Sequence, residues 1–368
     1  MRLNNILLYI SVFGMLCVST GCGQDECPPP DKDKYVYDIP QTDLDRDAVV
    51  GAYYTNITSS STWQKSGNAI YSGTPVLGEY LSTDLKVLEK QLEYADEAKL
   101  DFFVFSFDAA SADTKLIDNF KSVRASLGAK VKFIINYNTK HLKVTNDSPL
   151  QDEANMAKLK NEFTQKIVPL FADDSYYKFA DGTPLMLMTP SNLSSSATSS
   201  IDYSLVLPEL RDHVKDAGFT PYIIGEFTTG WAAPVNYADH QIVPFDGVTL
   251  NDWKTNVYDR YYAFFSFIDL NWANWRNTIK ASGTDFIPCV FPSYDDRKNS
   301  SSSYYYQFGV DGDTKDYINF CNVAKRNLGS RDVVLVNSWN NYQKGTNLEP
   351  TEENGGKYLT VTREQFKI

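Results

Sequence analysis

Eight short apolar runs, separated by longer segments of helical periodicity, constrain this chain more than any other feature. They are Val49–Tyr54, Phe102–Phe107, Val131–Tyr137, Leu185–Met188, Tyr222–Gly225, Gly247–Leu250, Phe286–Phe291 and Val333–Asn337. Strands covered on both faces read as near-continuous apolar runs, as these do. Behind Asp84, a good helix cap, Leu85, Leu88, Leu92 and Ala95 recur at helical spacing. Lys115–Leu127, Asn155–Leu170, Tyr203–Ala217, Leu270–Ala281 and Thr314–Asn327 carry the same periodicity. This alternation predicts an α/β protein with a parallel sheet, and eight strands predict a single closed (β/α)8 TIM-type barrel. A doubly wound open sheet is the rival, but no glycine-rich phosphate loop follows the first strand.

The N-terminus reads as an export signal over residues 1–21. Arg2 precedes an apolar run, Ile6 to Val18, that is short for a membrane-spanning helix. Ser19-Thr20-Gly21-Cys22 then looks like a bacterial lipobox, which predicts lipidation of Cys22. Ordinary signal cleavage, with Cys22 incidental, is the alternative. Gln24-Asp25-Glu26 resembles the acidic surface-export signal of Bacteroidetes lipoproteins. Pro28-Pro29-Pro30 and the charged run Asp31 to Lys34 suit a solvated spacer, so residues 22–46 read as a tether and 47–368 as one domain. The expected location is the outer membrane at the cell surface, with membrane contact only through the lipid.

A net charge of −11 argues against nucleic acid, whose phosphates call for a Lys/Arg surplus. Five cysteines and three histidines show no metal-ligand spacing, and neither a metal nor a cofactor is expected. Cys289 and Cys321 read as buried free thiols. His141 and His240 read as loop residues and His213 as lying on a helix face, each satisfied structurally.

The densest polar-aromatic loop follows the last strand: Asn337-Ser338-Trp339-Asn340-Asn341-Tyr342-Gln343-Lys344-Gly345-Thr346-Asn347-Leu348-Glu349-Pro350. Planar amides and rings in one loop suit sugar binding, where rings stack and amides read hydroxyls. The loop resembles N-E-W-x-E-G-T-x-x-E-P, the signature of glycoside hydrolase family 99 (endo-α-mannosidase and endo-α-mannanase) and the related WbsX-like group. It keeps Asn340, Gly345, Thr346, Glu349 and Pro350. The resemblance runs in order through Val50-Gly51-Ala52-Tyr53-Tyr54, Leu77-Gly78-Glu79-Tyr80 with Asp84, Ala95 to Phe105, Tyr177-Lys178, Asp181-Gly182-Thr183-Pro184 and Tyr294-Asp295-Asp296-Arg297.

That resemblance implies a sugar cleft at the barrel mouth. It also places Asn341 and Lys344 where the family has its two catalytic glutamates. Asn cannot take a proton usefully, and Lys donates one only if its pKa falls. Loss of general acid–base catalysis removes roughly 10²–10⁴-fold in rate per group. Active sites of such barrels lie at the C-terminal strand ends. Substrate-binding candidates there are Tyr54, Asn136, Trp253, Arg297, Trp339, Asn340, Asn341, Lys344 and Glu349. Glu226, Asp252 and Asp295 are candidates for a relocated catalytic pair; Glu349 reads equally as a loop brace. Tyr304-Tyr305-Tyr306 forms either an aromatic lip or packing. Three functions follow: a glycan-binding barrel without the acid–base pair, a glycoside hydrolase with relocated carboxylates, and a structural or adhesive lipoprotein without a cleft.

Overall fold

A computed structural model describes residues 36–63, 73–108, 111–189, 201–227, 239–251, 264–295, 307–308 and 313–368. Residues 38–368 form one compact unit. Cys22, Asp252, Trp253, Arg297 and Tyr304-Tyr305-Tyr306 lie outside the described residues.

The barrel strands are β1 (Val49–Tyr54), β2 (Phe102–Phe107), β3 (Lys132–Asn138), β4 (Leu185–Thr189), β5 (Tyr222–Phe227), β6 (Gly247–Leu250), β7 (Asp285–Ile287), β8 (Cys289–Val290) and, after two short strands, β11 (Val333–Val336). All pair in parallel, in the order β7-β6-β5-β4-β3-β2-β1-β11-β8. The seventh apolar run thus supplies both β7 and β8, split at Pro288. Proline has no N–H for a ladder, so the run changes partner there. Its first half pairs with β6 and its second with β11, while the Pro288 carbonyl still accepts Leu335 N at 2.9 Å. The ends of the sheet meet in this one run, and the eight predicted strands close the barrel. Two short strands, β9 (Tyr294–Asp295) and β10 (Gln307–Phe308), form a separate antiparallel pair.

The helices are α1 (Leu85–Glu97), α2 (Ser111–Leu127), α3 (Glu153–Glu162), α4 (Val168–Ala172), α5 (Tyr203–Asp216), α6 (Asp239–Ile242), α7 (Phe264–Lys280), α8 (Lys315–Arg326) and α9 (Lys357–Phe366). Asp84 caps α1 by accepting Lys86 N and Val87 N. The single helix expected over Asn155–Leu170 is divided by a π-helical stretch, Phe163–Ile167, just ahead of Pro169. His240 lies in the short α6 rather than in a loop. Helix α9 was not anticipated; it packs Tyr358, Leu359 and Phe366 into the core. Residues 38–46, read as the end of a tether, lie on the barrel: Ile39 and Leu44 pack on its core, and Thr42 N donates to Asn322 Oδ1 at 3.0 Å. Cys289 and Cys321 are buried free thiols, as expected. No helix among the described residues is long and apolar enough to cross a membrane.

Strand parity decides which side chains meet. Residues of one parity turn towards the helices: Phe103, Phe105 and Phe133 meet Phe120 of α2 edge-on there at 5.3–6.2 Å. Burying each phenylalanine contributes roughly 1.5–3 kcal/mol. The other parity fills the barrel. Phe102 plugs its lower end, and a Cβ on Gly51 would sit 2.0 Å from that ring, so only glycine fits there.

Candidate functional site

The register aligns the inward positions at the C-terminal ends. Tyr53 (β1), Asn136 and Asn138 (β3), Thr189 (β4), Glu226 (β5), Thr249 (β6) and Cys289 (β8) share the barrel-facing parity, with Asn337 following β11. Glu226, 4 % exposed, is their centre. Asn136 Nδ2 donates to Glu226 Oε2, and the Thr189 hydroxyl lies against the same oxygen. The Thr189 hydroxyl is also 2.9 Å from Asn136 Oδ1. It has one hydrogen, so it donates to only one of the two.

Around this core, valences stay open. Tyr53 Oη and Thr249 Oγ1 are buried without a hydrogen-bond partner. Burial pushes the Tyr53 hydroxyl well above the usual tyrosine range, and the charge of neighbouring Glu226 pushes it further. Burial, then Glu226, likewise raises the Cys289 thiol. Buried donors and acceptors without partners are rare, and each calls for an explanation such as a bound water or ligand. Above them, Asn136, Asn138, Thr189, Asn251 and Asn337 remain partly exposed, giving the mouth a floor of amides and hydroxyls.

A second group of acids stands beside β1 and β2. Asp113, in the first turn of α2, accepts Asp108 N at 3.3 Å and Asn56 Nδ2 at 3.4 Å. Burial and the adjacent Asp108 raise the Asp113 carboxyl. Neither Asp113 nor Tyr53, Thr189 and Thr249 was singled out from the sequence.

The last loop is stitched to itself and to the barrel. After a cis peptide between Asn337 and Ser338, Ser338 N donates to Thr346 O and Glu349 N to Trp339 O, each at 2.8 Å. Trp339 N donates to Tyr53 O at 2.7 Å, and its indole, fully buried, meets Phe103 edge-on at 5.0 Å. Asn340 receives Thr55 N at 2.7 Å and donates to Thr55 O and Tyr80 Oη. Glu349, 1 % exposed, accepts Tyr80 Oη at 2.7 Å, Tyr342 Oη at 2.6 Å and Gln91 Nε2 at 2.7 Å. Gln91 Oε1 in turn accepts Tyr54 Oη at 2.8 Å. Burial raises the Glu349 carboxyl despite these three donors. Tyr54, Trp339, Asn340 and Glu349 therefore sit together outside the strand ring, where the polar side-chain atoms of Tyr54, Asn340 and Glu349 brace the loop and the Trp339 indole N–H stays buried without a partner.

Asn341 and Lys344 are half-buried. Asn341 Oδ1 accepts Lys344 N at 3.2 Å, and Asn341 lines a cavity of about 140 Å³ with Trp63, Asn340 and Gln343. Asp295, 3 % exposed, is held by its backbone N–H to Lys344 O at 3.0 Å. Among the described residues no group of His, Cys, Asp and Glu could hold a metal ion. His141 is satisfied by Asn138 O and Glu162, and His213 by Thr164 and Lys160 O.

A closed barrel of parallel strands with a polar C-terminal mouth defines a TIM-barrel protein of glycoside hydrolase type. The model of the family described as Glycosyltransferase WbsX matches residues 73–362, and the chain belongs to that family. Among solved structures, a "Glycoside hydrolase-like protein" is 24 % identical; the alignment covers 92 % of this chain and 99 % of that one, with a TM-score of 0.77. The family 99 endo-α-mannosidase of Bacteroides thetaiotaomicron is 17 % identical over 87 % of this chain and 96 % of its own, with a TM-score of 0.61. The resemblance read from the sequence thus holds for family and fold. No curated protein matches.

Proposed function

We propose that this chain is a carbohydrate-active surface lipoprotein that binds a complex, mannan-like glycan at the barrel mouth without the acid–base chemistry of family 99. The observation that carries this reading is the mouth floor: Asn136 and Thr189 on Glu226, with the buried hydroxyls of Tyr53 and Thr249 beside them. Amides, hydroxyls and one carboxylate can read the hydroxyls of a sugar. The chemistry of Asn341 and Lys344 supports a loss of the family's reaction, because neither offers a carboxylate.

Glycan-array binding combined with reducing-sugar release on the same ligands tests the proposal. Binding without release is expected, weakened about tenfold in Asn136→Ala, the scale of one or two lost hydrogen bonds. No binding to any glycan would overturn it. The lipid anchor is tested separately: a Cys22→Ser variant should lose labelled-palmitate incorporation and surface exposure to protease.

A second reading has its own support in the carboxyls of Asp108 and Asp113. Asp113 is raised by burial and by its Asp108 neighbour, and a carboxyl kept protonated in this way is what a glycosidase uses as its acid. Glu226 with this pair could supply relocated chemistry. Sugar release by the parent, lost in both Glu226→Gln and Asp113→Asn, would establish this hydrolase reading in place of the binder.

A further inference from the structure

The opposite end of the barrel holds a cavity of about 380 Å³, lined by Asp47, Asp96, Lys99, Asp101, Lys130, Lys132, Tyr177 and Lys367. Its acids are already engaged. Asp101 takes Lys367 Nζ at 2.7 Å and Val50 N at 2.7 Å, Asp96 takes Lys130 N and Val131 N, and Asp47 takes Ile368 N. Lys99, Lys130 and Lys132 make no hydrogen bond or ion pair through their ammonium groups among the described residues.

Lys132 carries the argument. It occupies the inward parity of β3, four residues below Asn136, and so enters the barrel's lower mouth. Burial lowers its pKa, and the like charges of Arg124 and Lys178 lower it further. Asp174 offsets these charges in part, but a half-buried ammonium that makes no direct ion pair is costly unless an anion completes it. Lys99 adds a second observation. It sits at φ 52° just past the C-cap of α1, a left-handed position that glycine takes in the corresponding turns at Gly128, Gly218 and Gly283. A side chain is kept there against local strain, and that side chain faces the same cavity.

We propose that the N-terminal mouth of the barrel is an anion site that takes a phosphate group, held by Lys99, Lys130 and Lys132 beside the Tyr177 ring. The chemistry is shared by free phosphate and by the phosphodiester of a lipid headgroup. The overall charge of −11 makes unspecific attraction of either unfavourable, so binding would report the local site. The site is independent of the sugar cleft.

Calorimetric titration of the full-length chain at low salt, with inorganic phosphate in one arm and glycerophosphoglycerol in the other, tests it. One-to-one binding of at least one probe is expected. It should weaken about tenfold in Lys132→Ala, as for loss of one charge-assisted contact, and vanish when Lys99, Lys130 and Lys132 are all replaced by alanine. Lys99→Gly should bind more weakly while melting at a higher temperature, an outcome that a folding defect cannot imitate. Binding of the diester alone identifies a headgroup-type ligand; binding of inorganic phosphate identifies the free anion. If the parent binds neither probe, or if the triple variant binds as well as the parent with an unchanged melting temperature, the site does not exist.

Discussion

Glu226 and Glu349 are both almost inaccessible, at 4 % and 1 % exposure, yet they stand in opposite kinds of surroundings. Glu349 lies outside the strand ring, and its carboxylate is met by three donors, two tyrosine hydroxyls and one amide. Glu226 lies inside the ring. It accepts the Asn136 amide and has the Thr189 hydroxyl against it, and it borders the buried hydroxyls of Tyr53 and Thr249. Saturated polar clusters fix structure, whereas partly open ones wait for a ligand. Burial alone therefore does not separate a brace from a site; the state of the neighbouring valences does.

The sharpest way to break this contrast is to remove each carboxylate. Glu349→Ala leaves three buried donors unpaired and should cost about 3 kcal/mol or more, since each orphan costs about 1–3 kcal/mol. Denaturant unfolding measures this. Glu226→Gln keeps an acceptor for its donors and should change stability by less than about 1 kcal/mol, while weakening glycan binding. If Glu226→Gln proves the more destabilising of the two, the contrast is reversed.

The pH dependence separates them next. Burial raises the folded pKa of Glu349 above its ordinary value of 4.5, so the fold prefers its protonated form. Its contribution is fully present below about 4.5, the unfolded value, and is lost as pH rises through the raised folded value. The stability difference between the parent and Glu349→Gln should therefore shift in the parent's favour as pH falls from neutrality towards 4.5. A difference that stays flat over that range would show that burial does not govern this carboxyl.

Neighbouring tyrosines give a smaller version of the same contrast. Tyr54→Phe breaks the bond to Gln91 and should cost about 1 kcal/mol, a typical net hydrogen bond, without touching ligand binding. Tyr53→Phe removes a buried hydroxyl whose neighbour is Glu226, so stability should change less than in Tyr54→Phe while glycan affinity falls. Equal effects of the two variants on binding would mean that strand parity does not divide site from scaffold.

The smallest effect belongs to an exposed pair. Asp181 is lowered to about 2, chiefly by its hydrogen bond with Arg331 at 2.7 Å. Its contribution exists above the ordinary aspartate value and disappears as pH falls through about 2. Solvent screens such pairs, so the melting temperature of Asp181→Asn at neutral pH should lie closer to the parent's than that of any variant above. A larger loss would locate stability where neither side of the comparison expects it.

Much of the fold was legible in the chain. Runs such as Phe102–Phe107 and Val333–Val336 are apolar on both sides because a parallel barrel strand is buried on both sides. The partner change at Pro288 was not legible, because a proline in an apolar run does not say which neighbour each half will meet. Helix α9 was missed because Lys357–Phe366 carries few apolar residues. The site was legible only in part. Asn136 and Glu226 were found as polar residues near strand ends, and they do bond. Tyr54 was singled out where its neighbour Tyr53 faces the barrel; the ladder pairs Tyr53 with Val104, and two residues beyond that pair Ser106 lies opposite Asn136.

By itself, the sequence determined the strand count, the alternation with helices and the family resemblance of the last loop, because periodicity and residue identity are local properties. Only the tertiary structure decided which face each strand end presents, which loop residues are spent as braces, and that cations from three separate segments converge below the barrel. Those depend on register and shear between strands far apart in the chain, and a one-residue change in parity moves a side chain from the site to the scaffold.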